Sequence, residues 1–421
     1  MATLARVTTP RLALGGASLV GMLAASHAAA DIPFSAVSAL LPTIQARFGL
    51  TESVLALLVA TLSFGASVTQ PLFGALADRV GPRLVGAAGV VLSSALLALV
   101  GIAPSVWLLL GLLLAGGFAS AAMHPAFTSL SRSTGASRPS LAVSLYSAGG
   151  TFGVAIGPVA VLTVMSTIGV SGTPWLMVPG VALGIATYLV VPAGRDERVE
   201  RPPMIDVQLI AGPVGVLTIA AALASVPFVA FGASIGLWLV AEHGVARDSA
   251  LIGWTLSAFA LAAAAGGVIG ASFTGRVSAR LAVSSTMVAA AIPLFAIFSL
   301  VPGSPLYFVA VMAAGALLNA SLPIMVVTAQ NLVPRSVAAA SGMLMGFAHG
   351  VAGLLYIGVG ALQEAVGTGT ALAATYLFVI PAAALAFVIL TRVSRSEAKP
   401  VAGCKCRVCR CIAPTACACA V

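Results

Sequence analysis

Long stretches of the chain carry no Asp, Glu, Lys or Arg. They run over 12–30, 53–77, 84–131, 139–194, 207–241, 249–275, 281–334, 336–363 and 365–391. A helix needs about 20 apolar residues to cross a bilayer. The windows 84–131, 139–194 and 281–334 each have room for two spans. Each also holds a turn signal near its middle, at Gly101 to Pro104, Gly172 to Pro174 and Pro302 to Pro305. The other six windows hold one span each, so the pattern predicts twelve helices. The first window is short, but its apolar run continues past Asp31 to about Leu41. A transmembrane barrel would instead alternate apolar and polar residues in segments of about ten.

Composition removes the remaining classes. Of 421 residues, 60% are hydrophobic and 7% are charged, against about 25% charged in a soluble domain. Mean hydropathy is +1.11. A chain this poor in charge cannot cover a soluble globule, and disorder needs the opposite composition. The reading is an all-α membrane protein.

Orientation follows from the cations. With the N-terminus inside, 18 of the 20 Lys and Arg fall on cytoplasmic segments, and only Arg47 and Arg247 fall outside. This positive-inside bias predicts an inner-membrane, multi-pass chain with both termini cytoplasmic. The net charge of +9 is explained by topology and contact with anionic lipid. The cations are scattered over short loops and form no stripe for nucleic acid. Arg6 and Arg11 before an apolar run ending in Ala28-Ala29-Ala30 resemble a secretory signal. Cleavage there would leave five helices before the central loop and six after it, and the apolar run continues through Ile44.

The chain divides into halves. Residues 1–192 form a first six-helix half, 193–208 a polar central loop and 209–392 a second half. Residues 393–421 form a cytoplasmic tail. A weak repeat at an offset of 200 places Gly150 and Gly153 on Gly350 and Gly353, and Ala115 on Gly315. Two six-helix halves make a transporter architecture with the substrate between them at the midplane. In the fifth helix Gly149, Gly153 and Gly157 recur at every fourth position before Pro158. Such a stripe lets helices approach closely, and near the interface between halves it would also permit rocking.

The loop after the second helix reads Gly74-Ala-Leu76-Ala-Asp78-Arg79-Val-Gly81-Pro-Arg83. It is similar to the signature between the second and third helices of the major facilitator superfamily. Asp78, Arg79 and Arg83 lie within pairing reach, and such pairs can lock one face and release it in the other state. The matching loop of the second half, Gly275 to Arg280, lacks the acid. A narrower resemblance rests on His27 and Asp31, Met123-His124-Pro125, and the Gly149–Pro158 run. It continues in Ala329 to Pro334 and Ser341 to Gly350. These look like the fosmidomycin-resistance branch of drug efflux transporters, which implies export driven by proton entry. Many drug/proton antiporters of the superfamily carry an Arg in the fourth helix before a Gly. Leu112 and Leu113 stand there in this chain, so coupling through that Arg has no support.

Asp31 is the one carboxylate well inside a predicted span, where a charge costs at least about 2.5 kcal/mol. His27, one turn earlier, shares its face. The pair could relay protons, or His27 could simply satisfy Asp31. His124, before the helix-disturbing Pro125, either lines a cavity or partners the kink. Asn319 and His349 are candidate cavity residues, though a helical His is more often a packing residue. Gln330 and Asn331 are further candidates for the cavity or a gate. No H-E-x-x-H, P-loop or nucleophile elbow accompanies them, so neither an enzyme nor an ATP-driven pump is expected.

All six cysteines, Cys404, Cys406, Cys409, Cys411, Cys417 and Cys419, lie in the tail. In a reducing compartment such closely spaced thiolates suit soft ions. The alternative is an appendage with no selected role. No other cofactor is expected. The sequence reading is a monomeric, proton-coupled exporter of a small organic compound, with a soft-metal or metalloid exporter as the alternative.

Overall fold

The computed structural model describes residues 16–134, 139–191, 211–273, 276–333, 337–397, 411–413 and 416–417. The central loop lies outside them, as do Cys404, Cys406, Cys409 and Cys419. Of the tail, the backbone at Cys411–Ala413 pairs antiparallel with that at Ala416–Cys417.

Among the described residues twelve helices are long and apolar enough to cross a membrane, one bent pair counted as a single span. They are α1 (Gly16–Phe48), α2 (Glu52–Val68 with Gln70–Val80), α3 (Pro82–Ile102), α4 (Val106–Ser133), α5 (Leu141–Ile168) and α6 (Val170–Val190). The second half holds α7 (Pro213–His243), α8 (Ala250–Ser272), α9 (Ala279–Ser299), α10 (Pro305–Leu332), α11 (Ala339–Val366) and α12 (Thr368–Ser394). An even number of spans puts both ends of the bundle on one side, called here the termini side; the opposite side is the far side. Two breaks fall at sequence turn signals, Gly101 to Pro104 and Pro302 to Pro305. The third falls at Gly169, whose φ is +76°, ahead of Gly172 to Pro174, which lies in the 3-10 turn that opens α6. Gly81 shows why the break between α2 and α3 is so short. Its φ of +111° is cheap only for glycine, and Pro82 then opens α3 at once. Among the described residues helix α2 is the one sharply bent span; α11 also carries a π turn, at Met343–Phe347. In α2 a single wide π turn at Phe64–Val68 precedes a 42° bend, which the charge-free window could not reveal.

The outer surface is apolar, as lipid contact demands. Trp107, Trp175 and Trp254 are exposed at far-side helix starts, forming the aromatic belt of a membrane interface. Arg79, Arg83, Arg132, Arg276, Arg280 and Arg392 all stand on the termini side.

Small residues set the packing inside each half. Helix α5 lies directly on α1: a Cβ at Gly149 would meet the Ala24 carbonyl, and one at Gly153 the Ala28 carbonyl. At Gly157 it would meet Ser35 and the Ile32 carbonyl. The stripe thus faces its own half. It binds α1 to α5 as one body and does not sit on the seam between halves. In the second half, Gly266 and Gly270 of α8 approach the Ala316 and Ala320 carbonyls of α10 in the same way.

The halves meet chiefly along two helix pairs, α5 with α8 and α2 with α11, with a smaller contact of α1 on α7. The two main pairs exchange under a twofold relation that maps the first half on the second, since 5 and 11 correspond, as do 2 and 8. A Cβ at Gly253 of α8 would lie 3.1 Å from the Pro158 carbonyl, so Pro158 itself is at the seam. Pro42 of α1 approaches Gly236 of α7, where a Cβ would stand 3.4 Å away. Along α11, Gly346, Gly350, Gly353 and Gly360 face Gln70, Val68, Ser63 and Ala56 of α2. The offset-200 repeat therefore does not preserve packing: Gly150 and Gly153 pack inside a half, and Gly350 and Gly353 pack between halves.

Candidate functional site

Two polar groupings lie at mid-depth. The first is in the first half. Asp31 and His27 are both buried, and His27 Nε2 stands 3.2 Å from Asp31 Oδ2. Four-residue spacing on α1 brings them together. The other ring nitrogen, Nδ1, lies 2.9 Å from the Tyr146 carbonyl oxygen of α5. A carbonyl only accepts, so Nδ1 carries a proton and Nε2 is left facing the carboxylate. A hydrogen bond between Nε2 and Oδ2 then needs one more proton, on either atom. Tyr146 also stacks on the His27 ring at 4.3 Å between centroids. Gly150 makes room for that ring, because any Cβ there would collide with it.

His124 of α4 completes the group. Its ring meets that of His27 edge-on at 5.0 Å. The ligand atoms of His27, Asp31 and His124 all lie within 4.8 Å of one another. Pro125 follows His124, yet α4 continues without a break. The next turn is tied by Thr128, which donates to the His124 carbonyl at 2.7 Å. The sequence readings of His124 are a cavity wall and a kink partner; in the structure it stands against the buried acid–histidine pair. Leu113 is fully buried in the apolar core and Leu112 nearly so.

The second grouping is in the other half. A small cleft of ≈ 20 Å³, room for about one water, is lined by Ser225 and Phe228 of α7, Asn319 and Met325 of α10, and His349 of α11. It brings together Asn319 and His349, both expected in a cavity. Asn319 is held in place, since its Nδ2 donates to the Ala263 carbonyl of α8 at 2.8 Å. The Phe228 ring meets His349 edge-on at 6.0 Å. His349 Nδ1 is buried, with the Met345 backbone one turn earlier as a polar neighbour. Sequence reasoning missed Ser225 and Phe228, which carry no periodic signal that separates them from packing residues. Gln330 is outside the cleft lining and donates to Ser341 Oγ at 2.8 Å. Asn331 is exposed at the termini side.

The termini-side motif is uncovered. Asp78 and Arg79 are exposed, and among the described residues no ion pair joins Asp78 to Arg79 or Arg83. Arg83 turns away instead, donating to the Val191 carbonyl at 3.1 Å and lying over the Tyr188 ring at 4.9 Å. Gly74 packs against Pro125 of α4, where a Cβ would stand 3.5 Å away. On the far side the halves are clasped. The Ser53 backbone N–H at the start of α2 donates to Glu364 Oε1 of α11 at 2.9 Å.

The family model of the Major Facilitator Superfamily matches residues 23–246, more than half of the chain. The chain belongs to the major facilitator superfamily. This major facilitator chain is 25% identical over 365 residues to the fosmidomycin resistance protein of Escherichia coli (strain K12), covering 83% of this chain and 86% of that one. It is 26% identical over 369 residues to the uncharacterized MFS-type transporter YfnC of Bacillus subtilis (strain 168), covering 84% and 88%. Among solved structures it is similar to a bacterial homolog of the human lysosomal transporter Spinster, inward-facing and unoccupied. The TM-score is 0.75 at 18% identity, over 91% of this chain and 99% of that one. The nucleoside transporter NupG is also similar, with a TM-score of 0.69 at 13% identity over 90% and 98%. These likenesses give this major facilitator chain its fold: a multi-pass transporter.

Proposed function

We propose that the chain exports a small organic compound from the cytoplasm in exchange for entering protons, as a monomer in the inner membrane with both termini cytoplasmic. The observation that carries this is the buried His27–Asp31 pair, whose 3.2 Å contact accommodates one proton. The pair sits in one half and the Asn319–His349 cleft in the other, so proton and substrate can occupy separate walls of one central space. The relation to a fosmidomycin resistance protein supports efflux of a drug-like compound. With termini inside, the far side is the closed side, and the uncovered Asp78 motif faces the cytoplasm, where an exporter collects its cargo. Asp78, Arg79 and Arg83 then act as a cytoplasmic gate that engages only in the opposite state.

The test is transport in everted vesicles under an imposed proton gradient. Asp31→Asn should reduce gradient-driven transport to background while equilibrium exchange of bound substrate persists. Undiminished gradient-driven transport would overturn the coupling role. A susceptibility panel covering antibiotics and soft metals names the cargo class. The six tail cysteines favour a second reading, capture of a soft metal or metalloid. Truncation after Ala402 should leave drug resistance intact; a drop in resistance to As(III) alone would favour the second reading.

A further inference from the structure

We propose that His27, Asp31 and His124 form a binding site for a divalent d-block cation such as Zn2+. The donor set is two imidazoles and one carboxylate, the set that zinc takes when it keeps one position open. Metal–ligand bonds of about 2.0–2.1 Å in a tetrahedron place ligand atoms about 3.3–3.4 Å apart. His27 Nε2 and Asp31 Oδ2 already stand at 3.2 Å. The His124 donor lies within 4.8 Å of both, so a side-chain adjustment of about 1.5 Å closes the set.

The surroundings of His27 are those of a metal ligand. Its Nδ1 proton is given to the Tyr146 carbonyl at 2.9 Å, which aims the Nε2 lone pair at the shared centre and fixes the ring. Metal-bound histidines are held in this way through their second nitrogen. Tyr146 stacks on one face of the ring, and Gly150 leaves the space the ring occupies. With both histidines neutral, the carboxylate gives the set one negative charge, which a divalent cation overcompensates by one. His124 is half-buried where the other two are buried, so the open position and the route of entry lie on its side. The ion ties α1 to α4 within one half. It uses the same two atoms as the coupling proton, so the two occupants exclude each other.

The experiment takes the purified full-length chain in detergent, with the six tail cysteines changed to Ser, and Co2+ alone as probe. Co2+ should give the visible absorption of a four- or five-coordinate nitrogen–oxygen site, and added Zn2+ should bleach it. His27→Ala and His124→Ala should each weaken Co2+ binding by about tenfold or more. His243→Ala, on the far side, should leave it unchanged. His124→Cys guards against a misfolded alanine variant, because it should add a sulfur-to-cobalt charge-transfer band. The proposal is overturned by any of three results: absence of visible bands, bands indifferent to both alanine changes, or a folded His124→Cys chain without charge transfer. Binding is read without transport, so failure here leaves the proton reading standing, and failure of proton coupling leaves this site standing.

Discussion

Gly150 decides where His27 can be. Its missing side chain is the room in which the imidazole lies between Tyr146 and Asp31. Gly150→Ala therefore forces the ring off the Tyr146 carbonyl or pushes α5 off α1. Overpacking of this kind costs about 1–3 kcal/mol. Thermal unfolding in detergent should show that loss together with a fall in gradient-driven transport. Gly21→Ala, with open space at its Cβ position, should change stability by no more than about 0.5 kcal/mol. Equal effects at the two positions would refute the packing argument. The His27–Asp31 contact was legible in the sequence, because four-residue spacing on a helix is enough to make it. Its partners Tyr146 and His124 come from other helices. His124 was singled out by a family resemblance and by its place before Pro125, but its contact with His27 was not, and Tyr146 was missed, because no local pattern reports contacts between distant helices.

The start of α2 is capped by another helix. The Thr51 side chain at the N-cap does not cap the helix amides, and the first amides of a helix lack internal partners. Glu364 of α11 supplies one acceptor, and its negative charge sits at the positive end of the helix dipole. The contact crosses between halves, so it exists only while the far side is closed. Glu364→Gln keeps the acceptor but removes the charge. A single cysteine placed at Ser53, with the six tail cysteines changed to Ser, should then be labelled faster by a membrane-impermeant thiol reagent. Identical labelling with Glu or Gln at 364 would show that the charge contributes nothing to closure. The twelve spans were readable from charge-free windows because lipid forbids unpaired charge over about 20 residues. The bend in α2 was not, since a π turn changes hydrogen bonding without changing composition.

At the scale of the molecule, one closed side and one uncovered motif describe a single state of a two-state machine. The loop holding Asp78, Arg79 and Arg83 was identifiable by spacing, but its pairing was not. In the proposed gate, Asp78 meets a cation in only one of two states, and sequence is the same in both. Asp78→Ala should slow transport by removing an interaction made only when the termini side closes. Accessibility at the far side should fall, because the closed-far state seen here loses its competitor. Unchanged rate and accessibility would remove Asp78 from the gate. The bundle offers a clean background for these measurements, since no cysteine precedes Cys404.

The glycines of α11 have a kinetic consequence. Where Gly346, Gly350, Gly353 and Gly360 face α2, α11 offers backbone hydrogens and no protruding knobs. The two surfaces touch as a plain bearing touches its shaft, without meshed teeth. Parting them extracts no α11 side chain from a socket at these positions and demands no rotamer change there. On this geometry, parting the seam should meet its main resistance in the polar clasp at the far end. A leucine at position 353, pressed against Ser63, would turn the bearing into a ratchet: the chain would still fold each half and still bind cargo, but would dwell in whichever state first accommodated the tooth.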